Sequence, residues 1–224
     1  MNFKKGILFS AFMGLWIVVF GQSNDDFTIV QNRIGTVTIT GYGGTENNVI
    51  IPGEINGTTV TVIGSRVFQN KALTGVTIPG NITSIGFQAF SNNQLTAVQL
   101  PPGLTSIEYE AFADNQLTDL IIPDSVTSIG LRAFARNQLT RVAVSQGVTY
   151  IGKDAFAGSQ LTSITMGANK NIFTSQGFEL SFVNYYGSTG KKAGTYVKND
   201  RVWSRQEESL GEAAREAPAS QDLP

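Results

Sequence analysis

Leu73, Leu95, Leu117, Leu139 and Leu161 stand 22 residues apart, and the segments they open align: "LTGVTIPGNITSIGFQAFSNNQ", "LTAVQLPPGLTSIEYEAFADNQ", "LTDLIIPDSVTSIGLRAFARNQ" and "LTRVAVSQGVTYIGKDAFAGSQ". The upstream "VIIPGEINGTTVTVIGSRVFQN" joins the series if two residues are inserted after Pro52. A unit this short cannot bury its apolar side alone; it does so only against its neighbours, and the chain must grow as a stack of turns.

Within each repeat the apolar spacing locates the local structure. Leu73, Val76 and Ile78 follow L-x-x-V-x-I, and the alternation of Val76, Thr77 and Ile78 has the two-residue period of a strand. Pro79, Pro101 and Pro123 come directly after it, where a missing N–H ends a ladder and a fixed φ starts a turn. A second extended stretch is expected over residues 82–85, 104–107, 126–129 and 148–151. It leads into "GFQAF", "EYEAF", "GLRAF" or "GKDAF", whose Ala and Phe suit a single helical turn facing inward. Successive strands are expected to lie parallel, about 4.8 Å apart. Phe68, Phe90, Phe112, Phe134 and Phe156 then form a column under the opposite wall. The repeats join at "NQLT", whose Leu points in and whose Thr points out. Asn93, Asn115 and Asn137 fall at that turn, where side-chain amides can pair backbone groups that would otherwise be buried unbonded.

The pattern L-x-x-V-x-I-P followed by I-T-S-I-G-x-x-A-F resembles the leucine-rich repeats of the BspA-like type, found in treponemal and Bacteroidales surface proteins. Five copies from Val49 to about Met166 carry the resemblance over roughly half of the chain. The flanks fit too: "GTVTITGYGG" is similar to the strand that precedes such arrays, and "YYGSTGKKAGTYVKNDRVWS" to the tail module of spirochaetal members. Many relatives carry a Cys near the end of the repeat, a place held in this chain by the Asn-Gln pairs. The fold expected is a β-rich solenoid: a leucine-rich repeat array of 22-residue units with parallel strands and short helical turns, capped by small β elements at both ends. The resemblance also implies a non-enzymatic role in attachment, to host matrix proteins such as fibronectin or between bacteria.

The flanks of the array divide the rest of the chain. "MNFKKGILFSAFMGLWIVVFG" has a basic start, an uncharged run shorter than the roughly 20 residues that span a bilayer, and a small-residue end, so residues 1–21 read as a cleaved export signal. No membrane span is expected after cleavage. Residues 22–48 read as an N-terminal β cap, 49–166 as the solenoid, 167–204 as a C-terminal β cap and 205–224 as a charged, disordered tail. Export places the protein at the cell surface, in the medium or in the periplasm.

With no Cys and no His, the chain lacks thiolate metal sites, disulfides and the commonest general base and zinc ligand, so neither a metal nor a cofactor is expected. A formal net charge of −1 argues against a nucleic-acid partner. Glu108, Glu110 and Asp114 are close in sequence, but their columns hold Gly, Gln, Asn and Arg in other repeats, the mark of solvated surface. "GKKAGTYVK", with Tyr185, Tyr186 and Trp203 near it, is a basic and aromatic cluster that could hold an anion or serve as part of the cap. No catalytic constellation remains, and the chain is expected not to be an enzyme.

Function is therefore sought in the outward columns that vary. One candidate column is Phe87, Tyr109, Leu131 and Lys153, supplemented by Tyr150, which replaces the Ser of other repeats. Others lie on the strand face: Gln99 and Ile121 in one column, Asp119 and Arg141 as an exposed pair in the next. That face, six strands wide, offers on the order of 400 Å², against about 800 Å² per partner in a standard interface. Binding to a protein, either host matrix or another envelope component, would then be weak or multivalent, and weak self-association is a further expectation. A surface adhesin and a periplasmic assembly protein both fit.

Overall fold

The computed structural model describes residues 23–167, 173–174, 193–199 and 202–206. The expected export signal, Tyr185, Tyr186, Lys191, Lys192 and residues 207–224 lie outside the described residues.

The strands run in chain order β1 (Phe27–Gln31), β2 (Val37–Tyr42), β3 (Asn48–Ile50), β4 (Glu54–Ile55), β5 (Thr58–Ile63), β6 (Gly75–Thr77), β7 (Ser84–Ile85) and β8 (Ser106–Ile107). They continue as β9 (Asp119–Ile122), β10 (Ser128–Ile129), β11 (Arg141–Val144), β12 (Tyr150–Ile151), β13 (Ser163–Met166), β14 (Phe173–Thr174), β15 (Gly194–Asn199) and β16 (Val202–Arg205). They form two walls. One is continuous, in the order β1-β2-β5-β7-β8-β10-β12-β14, with β4 folded back on β5. It begins with the antiparallel pair β1 and β2 and is parallel from β2 onward, each two-residue strand matching its equivalent one repeat away, as Ser84 faces Ser106. Thr83, Thr105, Thr127 and Thr149 reinforce it, each hydroxyl donating to the threonine carbonyl of the repeat before, at 2.9–3.2 Å.

The other wall, built from the L-x-x-V-x-I segments, is not continuous as the spacing predicts. β3 pairs with β6 alone, while β9, β11 and β13 form a parallel sheet that β15 and β16 extend antiparallel. Between these sheets Ala97, Val98, Gln99 and Leu100 form no strand, and their backbones make no hydrogen bond to the described residues. Gln99 is a poorer strand former than Ile121, its equivalent in the next repeat, and the segment runs straight into Pro101 and Pro102, which have no N–H to donate.

A second difference concerns the "AF" segments, where the expected helical turns are absent. Among the described residues the one helical element is a 3-10 turn at Asn24–Asp26. Each "AF" segment is instead a pair of tight turns, closed by Ala89 N–H to Gly86 O and Ser91 N–H to Gln88 O, both 3.2 Å. Gln88, Glu110, Arg132 and Asp154 adopt left-handed backbone (φ 51–56°), as do Asn92, Asp114 and Arg136 (φ 55–58°). A left-handed residue every fourth position reverses the chain and aims the intervening N–H groups at the next repeat: Phe90 donates to Ala111 O and Phe112 to Ala133 O, both 2.8 Å. A helix would keep those bonds within its own segment and leave this side of the repeats unjoined.

Between the walls sits the core. Phe68, Phe90, Phe112 and Phe134 are fully buried and, with Phe156, stack nearly parallel, with centroid spacings of 5.0, 5.0, 5.4 and 5.7 Å. Leu73, Leu95, Leu117 and Leu139 are fully buried beside them and Leu161 is 8% exposed. Phe27 and Tyr42 close the front of the column, while Tyr196 and Trp203, from β15 and β16, join the core at the back. Asn93, Asn115 and Asn137 are buried, and each amide bridges two repeats. Asn115, for example, donates to Phe90 O and Phe112 O and accepts from the Leu95 N–H. The next place in that column is Ser159, whose hydroxyl is buried and has no partner among the described residues. Asn in its place regains the bridging bonds. Ser159→Asn is expected to raise stability by about 1 kcal/mol, read as a higher denaturant midpoint at unchanged m; a lower midpoint would show that the last repeat cannot admit the amide.

Candidate functional site

The "AF" turns place one outward side chain per repeat just beyond the continuous wall. Phe87 follows β7 and Tyr109 follows β8; both are half-buried, and their rings stack at 5.2 Å and 9°. The Arg66 guanidinium sits 4.8 Å from the Phe87 centroid and extends the stack toward the N-terminus. Leu131 continues the column at 38% exposure, and Tyr150, on β12 of the same wall, is 44% exposed. Phe87, Tyr109, Leu131 and Tyr150 thus lie on one side of the molecule. Phe87 and Tyr109 are not among the partly buried side chains that pack against the inner core, which are Ile29, Val76, Ile78 and Val98.

The remaining candidates lie on the other wall. Asp119 and Arg141 are register partners on β9 and β11, and the Arg141 side chain donates to Asp119 Oδ1 at 2.5 Å. That bond, joined by one from the Thr118 hydroxyl, holds the Asp119 carboxyl below its usual range and raises the Arg141 guanidinium. Both groups are solvated and screened, so the pair shapes the surface more than it anchors a partner. Ile121, two residues along β9 from Asp119 and on the same outward face, is 73% exposed. Gln99 falls in the unpaired segment, so it does not form a sheet column with Ile121. The structure divides the candidate residues into two patches, with aromatics on only one.

Two other expectations change. Glu110 is not solvated surface: it is 8% exposed, accepts from Gln88 Nε2 at 2.7 Å, and lies 3.9 Å from both Arg132 and Arg136. Arg66, Gln88, Glu110, Arg132 and Asp154 form a polar ladder along the turns, with Arg136 paired to Asp114 beside it, and that hydrogen bond raises Arg136 further. Columns of mixed residues therefore conceal complementary neighbours, a signal found by comparing each residue with the one 22 positions away. The basic and aromatic cluster near Trp203 is also altered, because Tyr196 and Trp203 point into the core and Lys198 Nζ covers the Trp203 ring at 5.8 Å.

Among the described residues no group of His, Cys, Asp and Glu could hold a metal ion, and no helix is long and apolar enough to cross a membrane. What the geometry defines is a leucine-rich repeat solenoid, a class whose extended surfaces bind proteins and whose members are typically non-enzymatic. The chain belongs to the BspA type leucine rich repeat family, whose profile matches residues 61–183 in six copies.

Solved structures agree on the fold. A leucine-rich repeat protein from Bacteroides ovatus superposes with a TM-score of 0.57 at 28% identity, over 66% of this chain and 41% of the other. The T. pallidum leucine rich repeat protein gives 0.52 at 22% identity, covering 66% of this chain and 82% of that one. A leucine-rich repeat protein from Eubacterium ventriosum gives 0.50 at 19% identity, covering 81% and 46%. The chain therefore spans less than half the length of the first and third of these. No curated protein matches it.

Proposed function

We propose that the protein is exported and acts as a non-enzymatic attachment module, binding a host matrix protein or a protein on another cell through the Phe87, Tyr109, Leu131 and Tyr150 face. One observation carries this reading. The fold requires one Phe column, inside, yet the chain also presents a stacked Phe87–Tyr109 pair outside, next to exposed Leu131 and Tyr150. Rigid aromatics are the side chains that dominate interface energetics. The patch is small for a stable interface, so attachment would rely on several copies acting together.

Binding of purified protein to immobilised fibronectin and other matrix proteins tests the proposal. The variant Tyr109→Ser/Tyr150→Ser is expected to lose about thirtyfold or more in apparent affinity, since two anchors at about 1–2 kcal/mol each are removed. Unchanged binding would move the contact to the β9–β11–β13 face. Protease treatment of intact cells separates a surface adhesin, which is digested, from a periplasmic assembly protein, which survives until the outer membrane is opened.

A further inference from the structure

Gln94, Gln116, Gln138 and Gln160 occupy the corner where the turns meet the strand wall, and all four are exposed. The other recurring residues have work inside the fold: Leu and Phe fill the core, Asn bridges repeats, and Thr83 and its equivalents tie the continuous wall. The glutamine side chains make no hydrogen bond to any described residue. The position needs only a backbone N–H, which Gln94, Gln116 and Gln138 donate to Leu73, Leu95 and Leu117 carbonyls at 2.8–3.0 Å. Any residue but proline would serve. On one flank the column reads Asn92, Asp114, Arg136 and Gly158; on the other, past the threonines, it reads Ala97, Asp119, Arg141 and Ser163. Duplication of a repeat unit would have preserved these flanks as well as the glutamines, so the amide answers to something outside the chain.

We propose that this glutamine column, with the exposed threonine two residues on in each repeat, binds a neutral, extended β-1,4-linked polysaccharide laid along the solenoid axis. A carboxamide offers one acceptor and two donors, a set that pairs with adjacent pyranose hydroxyls. Thr140 and Thr162 direct their protons to backbone carbonyls at 3.3 and 3.2 Å, leaving oxygen lone pairs outward as acceptors. The spacing fits as well: turns rise by about 4.8 Å, and four glutamines span about 14 Å. That is close to one pyranose per turn in an extended β-linked chain, a match that coiled α-linked glucans lack. The strip carries no charge and no apolar anchor, and the charges beside it are matched in Asp114–Arg136 and Asp119–Arg141. Such chemistry suits a neutral polyol better than a protein. Each contact is weak, and affinity comes from engaging several turns on one polymer.

This site is independent of the protein contact at Tyr109, and sedimentation of the full chain with microcrystalline cellulose, chitin and granular starch tests it. Retention is expected on the two β-1,4-linked polymers and not on starch. Gln116→Ala/Gln138→Ala is expected to lower retention about tenfold without shifting the melting temperature, while Tyr109→Ser leaves retention unchanged. The proposal is overturned if neither β-linked polymer retains the protein, if starch retains it equally, if the double variant binds as before, or if Tyr109→Ser abolishes retention. A melting shift in the double variant would equally overturn it, by giving the amides a role in the fold.

Discussion

Phe112→Ala is expected to destabilise the protein by about 3–5 kcal/mol and to divide its unfolding into two steps. Phe112 is fully buried at the middle of the column, 5.0 Å from Phe90 and 5.4 Å from Phe134 by ring centroid. Its neighbours cannot close the gap, because the Phe112 N–H to Ala133 O bond and the equivalent bond of Phe90 to Ala111 hold successive turns at a set spacing. The loss is a large part of the roughly 5–15 kcal/mol that stabilises a typical domain. In a solenoid the loss also stays local, on the two interfaces that one turn makes with its neighbours, since each turn touches no others. Chemical denaturation followed by far-UV circular dichroism should show a lower midpoint and a reduced m or a second transition. A single transition of unchanged slope with a loss below about 1 kcal/mol would mean that the column does not couple the repeats.

The period of 22 was enough to place the recurring inward Leu, Phe and Asn, because such a position in a stack must satisfy the same neighbours in every turn. Leu95, Phe112 and Asn115 are legible for that reason. What escaped the sequence is what depends on hydrogen-bond direction. The "AF" turns have helix-friendly letters, yet left-handed Gln88 and Asn92 send their bonds to the next repeat, and no propensity scale reports a bond between segments 22 residues apart. The break in the second wall at residues 97–100 was likewise hidden, since "LTAVQL" satisfies the same apolar pattern as "LTDLII" and differs only in strand propensity and in the second proline that follows.

The candidate site shows the same limit from the outside. Varying columns made Tyr109 and Tyr150 candidates, and the structure leaves the first half-buried and the second exposed. They failed for Glu110, which reads as one of a set of tolerant surface positions but is buried under Gln88 and two arginines. Variation along a column means freedom only when neighbours vary independently. In the ladder from Arg66 to Asp154 they vary in complementary fashion, so the constraint lies on the pair. For the outward glutamines the inference reverses: recurrence without a bond marks a demand that the fold does not make.

Asn115 makes the opposite case, recurrence that the fold does demand, and its replacement should be among the most damaging available. The amide accepts from the Leu95 N–H at 3.1 Å and donates to Phe90 O at 2.9 Å and Phe112 O at 3.2 Å, so it joins the strand of one repeat to the turns of two. In Asn115→Leu the volume is filled but the Leu95 N–H is left buried and unpaired, while Phe90 O and Phe112 O each lose one amide donor and keep those of Asn93 and Asn137. At about 1–3 kcal/mol for the unpaired N–H and about 0.5–1.5 kcal/mol for each lost carbonyl bond, with partial relaxation, the expected loss is about 2–4 kcal/mol. Asn115→Asp separates bonding from volume. A carboxylate can still accept from Leu95 but turns an oxygen toward the two carbonyls, whereas the protonated acid can donate to one of them. Its folded pKa should therefore lie above the unfolded value of about 3.9. The protonated form contributes its full stability below that unfolded value and loses it as pH rises through the folded pKa. The Asp variant should consequently unfold at lower denaturant at pH 7 than at pH 4 by more than the unmodified protein does. Equal pH dependence in the two proteins would show that the amide donors are not what holds Phe90 and Phe112 in register.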